Sequence, residues 1–224
     1  MKDNFIHVCF IVDESGSMSL SKSNVIGGFE NTINEQKELK DGKCAVSLFT
    51  FNSDVKQIYL GKDVNEITTI DYHPHGMTAM NDGIGTAIDS VGKWLSNMDE
   101  SERPSKNLIV IMTDGAENYS KEYTFTKVRE MIKHQEDKYS WSFIYMGTDL
   151  TNMDDVNNLG IKMSSFSTRG DFYKNYSVVN EATKIFRCAK STSEAYATMD
   201  SWLECETSKM SNEYETKTGI KLKQ

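Results

Sequence analysis

The chain has 224 residues, 38% of them hydrophobic, with two prolines and 14 glycines, so it can bury one sizeable core and has no Pro/Gly-rich linker to divide it. Its 33 acidic against 25 basic residues give a net charge of −8, which argues against a nonspecific binder of nucleic acid or of an acidic membrane surface. No apolar run approaches the about 18 residues of a membrane-spanning helix, and the four cysteines Cys9, Cys44, Cys188 and Cys205 lack C-x-x-C spacing, a usage that fits a reducing, cytoplasmic setting.

Phe5 to Val12 is a short, nearly continuous apolar run and reads as a strand buried on both faces, as in the centre of a parallel sheet. Lys2 is followed by Asp3 and no small-residue cleavage pattern comes after the run, so this is strand one and not a leader peptide. The strand runs straight into Asp13-Glu14-Ser15-Gly16-Ser17-Met18, which sets a carboxylate and two hydroxyls at alternate positions just beyond its carboxyl end. In open α/β sheets ligands bind there, and a set of oxygen-only side chains favours a hard cation such as Mg²⁺.

Ser19 or Ser21 can cap a helix with Val25, Ile26, Phe29 and Ile33 on its inner face, ending at Lys40 to Lys43. Cys44 to Phe51 is strand-like, and Val55 to Leu60 returns after the turn Asn52-Ser53-Asp54, so the two form an antiparallel hairpin. A polar stretch from Asp63 to Tyr72 and the loop His73-Pro74-His75-Gly76-Met77-Thr78 lead to an amphipathic helix marked by Ile84, Ala87, Ile88, Val91 and Leu95, with Asn81 or Asp82 as its cap. Beyond a charged loop containing Pro104, Asn107 to Met112 is a second buried strand, closing on Thr113-Asp114-Gly115.

A helix is expected over about 124–138, a strand over 141–146, a short helix over 153–159 and an edge strand near 161–166. Residues 173 to about 210 are helical by period, with a separate later part around Tyr196, Met199, Trp202 and Leu203. Residues 1–210 are therefore read as a single domain and residues 211–224 as a charged C-terminal tail. There is no internal repeat and no low-complexity segment.

Asp13, Ser15 and Ser17, then Thr78 in a loop before a helix, then Asp114 in a Thr-Asp-Gly turn after a buried strand, resemble the von Willebrand factor A family and its metal-ion-dependent adhesion site. Asp-x-Ser-x-Ser alone is weakly specific; the five positions in order, each in its proper context, are strongly so. The resemblance implies a doubly wound, Rossmann-like three-layer α/β sandwich. Its six-stranded, mostly parallel sheet would have the order 3-2-1-4-5-6 and one antiparallel edge strand. It also implies that Asp13, Ser15, Ser17, Thr78 and Asp114 hold Mg²⁺ (or Mn²⁺), the hydroxyls touching the metal and the aspartates acting through water. The function implied is that of a metal-dependent protein-binding module capturing an Asp or Glu of a partner. The turns Thr113 to Asn118 and Gly76 to Asp82 are similar to those of the compact bacterial and phage tellurite-resistance-associated members.

Helix capping would explain one or two of these five residues, not all of them. Glu14, between ligands, is expected to point to solvent; Asp82 and Asp149 read as helix caps. His73 and His75 make an H-x-H pair without a Cys or further His nearby, which disfavours zinc and leaves them as rim residues that shade binding as pH falls. Of the enzyme readings, a serine nucleophile lacks a neighbouring base. Ser15 stands where a haloacid dehalogenase-like phosphatase has its second Asp, and no phosphate-binding glycine loop follows strand one. The alternative kept is a Mg²⁺-dependent hydrolase of phosphate esters.

Overall fold

The computed structural model describes residues 2–40, 42–148, 153–161, 163–167, 173–191 and 193–199, with isolated positions 201, 202, 205, 209 and 216. The charged tail and Asp149 thus lie outside the described residues, Thr216 excepted. The elements follow in the order β1 (Lys2–Asp13), α1 (Lys22–Glu38), β2 (Lys43–Phe51), β3 (Val55–Asp63), α2 (Met80–Ser96), β4 (Pro104–Thr113), α3 (Phe125–Tyr139), β5 (Ser142–Thr148), α4 (Met153–Leu159), β6 (Met163–Ser167) and α5 (Tyr173–Cys188). This is a Rossmann-like α/β sandwich around a mostly parallel sheet.

β1 lies between β2 and β4, parallel to both, and β5 pairs with β4 in parallel, giving the order β3-β2-β1-β4-β5. β6 adds to β5 at the far side, and the pairing of β3 with β2 is the antiparallel one. The three-residue turn at 52–54 allows nothing but an antiparallel return. β3 shows why it is an edge: most of it is half-buried or exposed, while β2, β4 and β5 are buried almost throughout.

Period-two alternation divides each central strand between two cores. Val8, Phe10 and Val12 join Leu108, Val110, Met112, Ile144 and Met146 under α1 and α5, where Phe29, Val179 and Phe186 fill the layer. Cys9 and Ile11 join Ile109, Ile111, Phe143 and Tyr145 on the other face, under Ile84, Ile88 and Val91 of α2 and Val128 and Ile132 of α3. Cys9 and Cys44 are buried free thiols whose titration burial pushes up, beyond the ordinary range for Cys9 and to about 12 for Cys44, where they act as small apolar fillers.

Several elements depart from the expected bounds, and each departure has a cause. β4 starts at Pro104, three residues early, because β1 extends back to Lys2 and the two pair at Lys2–Pro104. The motif itself runs into a 3-10 turn, Gly16–Ser21, which contains Ser17 and puts Met18 into the core. Neither Ser19 nor Ser21 caps α1 through its side chain: Ser21 is the N-cap residue without a side-chain bond, and Ser19 Oγ donates to Gly16 O at 2.8 Å.

Two buried cations close helix ends at the pole where the central strands begin. Lys106 at the start of β4 donates from Nζ to the carbonyls of Phe186 (2.6 Å) and Ala189 (3.0 Å) at the end of α5. Arg187 of α5 donates to Gln36 O (2.6 Å) in the last turn of α1 and to Leu39 O (2.6 Å) and Gly42 O (3.1 Å) beyond it. Carbonyls left over at a helix C-terminus want donors, and a cation also meets the negative end of the dipole.

Candidate metal centre

The site forms where β1 and β4 end side by side. Asp13, the last residue of β1, is fully buried; its Oδ1 accepts from Ser15 N at 2.7 Å and its Oδ2 from Thr113 Oγ1 at 2.5 Å. The hydroxyl of Tyr72 donates to the Asp13 carbonyl. Ser15 Oγ lies 3.1 Å from Ser17 Oγ, which donates to Asp114 Oδ1, so the motif loop of β1 and the turn after β4 are joined through side chains.

Thr78 arrives from the loop before α2, and Gly115 shows that it reaches the same spot. A Cβ built on Gly115 would stand 3.3 Å from Thr78 Oγ1, 3.4 Å from Ser17 Oγ and 3.8 Å from Asp13 Oδ2. Three oxygens from two loops, the motif loop and the Thr78 loop, therefore face one small space that the missing side chain of Gly115, on a third loop, leaves open. Together with the Ser15 and Asp114 contacts, the structure brings all five sequence-predicted residues into one cluster.

Electrostatically the cluster holds two buried carboxylates, Asp13 and Asp114. Burial pushes the Asp13 carboxyl up to about 7; the bonds from Thr113 and Ser15 pull it down, and the nearby Asp114 charge adds to the rise. Buried like charges of this kind are costly without a counter-charge. The donor set consists of carboxylate and hydroxyl oxygens, suited to Mg²⁺ or Mn²⁺ and poorly to zinc. Among the described residues no three His, Cys, Asp or Glu side chains converge as a metal cluster; here three of the five donors are hydroxyls.

Glu14 does not point to solvent, contrary to its alternation with the ligands. It is buried, with Oε1 accepting from His73 N at 2.7 Å and Oε2 paired with Lys56 Nζ at 3.3 Å. Its backbone is engaged too: its N–H donates to Phe51 O (2.6 Å) and its carbonyl accepts from His75 N (2.8 Å). The cause is the outward bend of the chain after β1, which ends strand alternation and turns Glu14 under the Thr78 loop. His73 and His75 sit exposed on that loop, His73 facing Asp71 and Lys22, His75 facing Asn52.

The N-terminus of α2 is closed by neither Asn81 nor Asp82. Side chains of the loop after β4 accept its free N–H groups: Asn118 Oδ1 from Thr78 N (3.0 Å), Glu117 Oε2 from Asn81 N (2.8 Å) and Ser120 Oγ from Asp82 N (3.0 Å). Asp82 works in the opposite direction, its carboxylate accepting from the N–H groups of Lys121, Glu122 and Tyr123 at 2.8–2.9 Å. The Thr78 loop and the Asp114 loop are thereby locked to each other. Reading the sequence turned Glu14 the wrong way and gave no role to Thr113, Asn118, Glu117 and Ser120. Only Thr113, beside Asp114 at a strand end, carried a local signal.

An open, mostly parallel sheet with an oxygen-lined cluster beyond its central strands defines a class of ligand-binding α/β domains. The model of the von Willebrand factor type A domain matches residues 7–186, and the chain belongs to that family. No curated protein matches the chain. Among solved structures it is similar to proximal thread matrix protein 1 of the mussel byssus (15% identity, TM-score 0.52, covering 83% of this chain and 46% of that one). It is also similar to the von Willebrand factor domain of a type V pili tip protein from Porphyromonas gingivalis (10%, 0.59, 80% and 95%). A third is the manganese-loaded TRAP protein of Plasmodium vivax (19%, 0.51, 78% and 72%). This chain spans under half of the mussel protein and 61% of a minor pilin from Streptococcus sanguinis. At these identities the likeness is one of fold.

Proposed function

We propose that the chain is a divalent-metal-dependent protein-binding module in which Asp13, Ser15, Ser17, Thr78 and Asp114 hold Mg²⁺ (or Mn²⁺) and a partner protein adds an Asp or Glu carboxylate. The observation that carries this is the space beside Gly115, ringed by oxygens of Asp13, Ser17 and Thr78. Family membership supports it, as does the manganese-loaded state of the Plasmodium relative. Bound there, the ion would supply a positive centre with a coordination position left for an anionic oxygen. Ser15, Ser17 and Thr78 are neutral donors and preserve that positive character. Both oxygens of Asp13 already accept bonds from Ser15 N and Thr113 Oγ1, which supports an outer role for this carboxylate. In this reading the chain is one of the compact tellurite-resistance-associated bacterial and phage members and works in the cytoplasm; similarity in the turns Thr113 to Asn118 and Gly76 to Asp82 supports the first, and the buried free thiols Cys9 and Cys44 support the second.

The alternative, a Mg²⁺-dependent phosphate-ester hydrolase, finds less support. Neither His73 nor His75 bonds to Ser15 or Ser17; their partners are Asp71, Lys22, Asn52 and the loop backbone. Phosphate-ester turnover that depends on metal and vanishes in Asp13→Asn would establish the hydrolase instead.

Calorimetry with Mg²⁺ and Mn²⁺ tests the site directly. Ser15→Ala combined with Ser17→Ala should abolish binding, and Gly115→Ala, whose methyl enters the oxygen-ringed space, should weaken it at least tenfold while the fold persists. Undiminished affinity in both variants would remove the assignment.

A further inference from the structure

We propose that Leu20, Met77 and Tyr119 form an apolar collar around the candidate metal centre, selecting a protein partner whose acidic residue is flanked by large apolar side chains. This rests on the metal-dependent reading above and adds the partner's chemistry to it. Five large apolar side chains are exposed among the described residues: Leu20 (76%), Ile58 (37%), Met77 (45%), Tyr119 (37%) and Tyr139 (60%). Single exposed apolar residues are ordinary. Here, however, three of the five fall on the three loops that bring the candidate ligands together. Leu20 follows Ser17 by three positions, Met77 adjoins Thr78, and Tyr119 follows Asp114 by five.

Each of the three stands on a backbone already fixed. Leu20 rides the turn Gly16–Ser21, anchored beneath by buried Met18 and Ser21. Met77 N donates to Ser53 Oγ at 3.1 Å directly after Gly76, which turns the chain with a φ of 77°. Tyr119 N donates to Glu117 Oε1 at 2.9 Å, and Lys121 Nζ sits 4.3 Å from its ring centroid. Binding on such a surface loses little further backbone freedom, and Met and Tyr are enriched at the centres of interfaces. Ile58 on the edge strand and Tyr139 at the end of α3 belong to other parts of the molecule.

The charges nearby choose the occupant. Glu14 and Glu117 engage backbone N–H groups, and Asp71 faces His73. Lys121 Nζ beside the Tyr119 ring and Lys22 Nζ, 3.4 Å from His73 Nδ1 on the Met77 loop, set cationic groups beside the loops that carry the apolar ones. Together with a divalent ion at the centre, this pattern is complementary to a carboxylate set between apolar side chains.

The test uses the full chain and a phage-displayed library of random twelve-residue loops, panned in Mg²⁺ and in EDTA. The expected result is Mg²⁺-dependent enrichment of loops carrying Asp or Glu with Leu, Ile, Met, Phe, Tyr or Trp within two positions. The triple variant Leu20→Ser, Met77→Ser, Tyr119→Ser should bind Mn²⁺ as the parent does by electron paramagnetic resonance, yet bind the enriched loops at least tenfold more weakly. Enriched carboxylates without apolar neighbours, equal binding by the triple variant, or no enrichment at all would overturn the collar while leaving the metal reading intact. Loss of Mn²⁺ binding by the parent chain itself would instead sink the underlying metal reading. Mg²⁺-dependent self-association in sedimentation would make a second copy the occupant and overturn the proposal as stated.

Discussion

Glu14 carries more of the site than its position between two candidate ligands suggests. Its carboxylate and its own backbone together hold His73 and His75, and Gly16 N adds a bond to Gly76 O at 3.2 Å, so the motif loop grips the Thr78 loop at three points. Glu14→Ala removes the acceptor of the part-buried His73 N–H, a loss of about 1–2 kcal/mol; the half-exposed Lys56 partner adds little. Glu14→Gln keeps an acceptor and should cost less than half as much. Hydrogen exchange locates the effect: the amides of His73 and His75 should exchange faster in the Ala variant, while those of β1 and β4 hold their protection. Unchanged exchange at both histidines would mean that the loop is held without Glu14.

At the scale of elements, α1 and α5 meet through a seam that is partly polar. Thr32 Oγ1 contacts Asn180, Asn180 Nδ2 donates to Glu35 Oε1 (3.0 Å), and Tyr176 OH donates to Val25 O (3.0 Å). Gly28 makes the close approach possible: a Cβ there would fall 2.0–2.4 Å from ring carbons of Tyr176, which is buried and tethered. Gly28→Ala should therefore destabilise by about 1–3 kcal/mol through overpacking, read as a lower urea midpoint at unchanged slope. A midpoint equal to the parent's would show that Tyr176 can swing aside. The strands were legible in the sequence because runs such as Leu108 to Met112 stay apolar over their length, and so were the five oxygen-bearing residues, each at a strand end or before a helix. The cap of α2 was not, because its acceptors lie 36 to 40 positions away on another loop. Local propensity pointed to Asn81 and Asp82, and tertiary contacts gave those N–H groups to Glu117 and Ser120. Glu14 was misread because strand alternation was carried one residue too far, past the point where β1 ends.

For the whole molecule, pH sets two buried groups against each other. His7, fully buried between Ser47 (2.8 Å) and Trp94, has its pKa lowered to about 3 by burial, with Asn107 opposing. The unfolded chain takes up that proton near 6.5 and the folded one does not, so this stabilising contribution is complete above about 6.5 and lost as pH falls toward 3. Asp13 has the opposite sign: with its pKa raised to about 7, its contribution is present below the unfolded value of 3.8 and lost as pH rises through 7. In EDTA, urea midpoints between pH 5 and 7 should rise more steeply in Asp13→Asn than in the parent and less steeply in His7→Gln. Parallel profiles for all three would show that neither group titrates as buried. The two cations at the opposite pole bear on the chain's encounter with a partner. Lys106 and Arg187 quench the negative ends of α5 and α1, and α1 begins directly after the motif turn with no acidic residue in its own first turn. A helix quenched at one end alone presents its positive end to the surroundings. Although the chain carries a net charge of −8, with a divalent ion over Asp13 and Asp114 this dipole would turn the rim toward an approaching anionic partner, and added salt would slow docking before it loosened the docked complex.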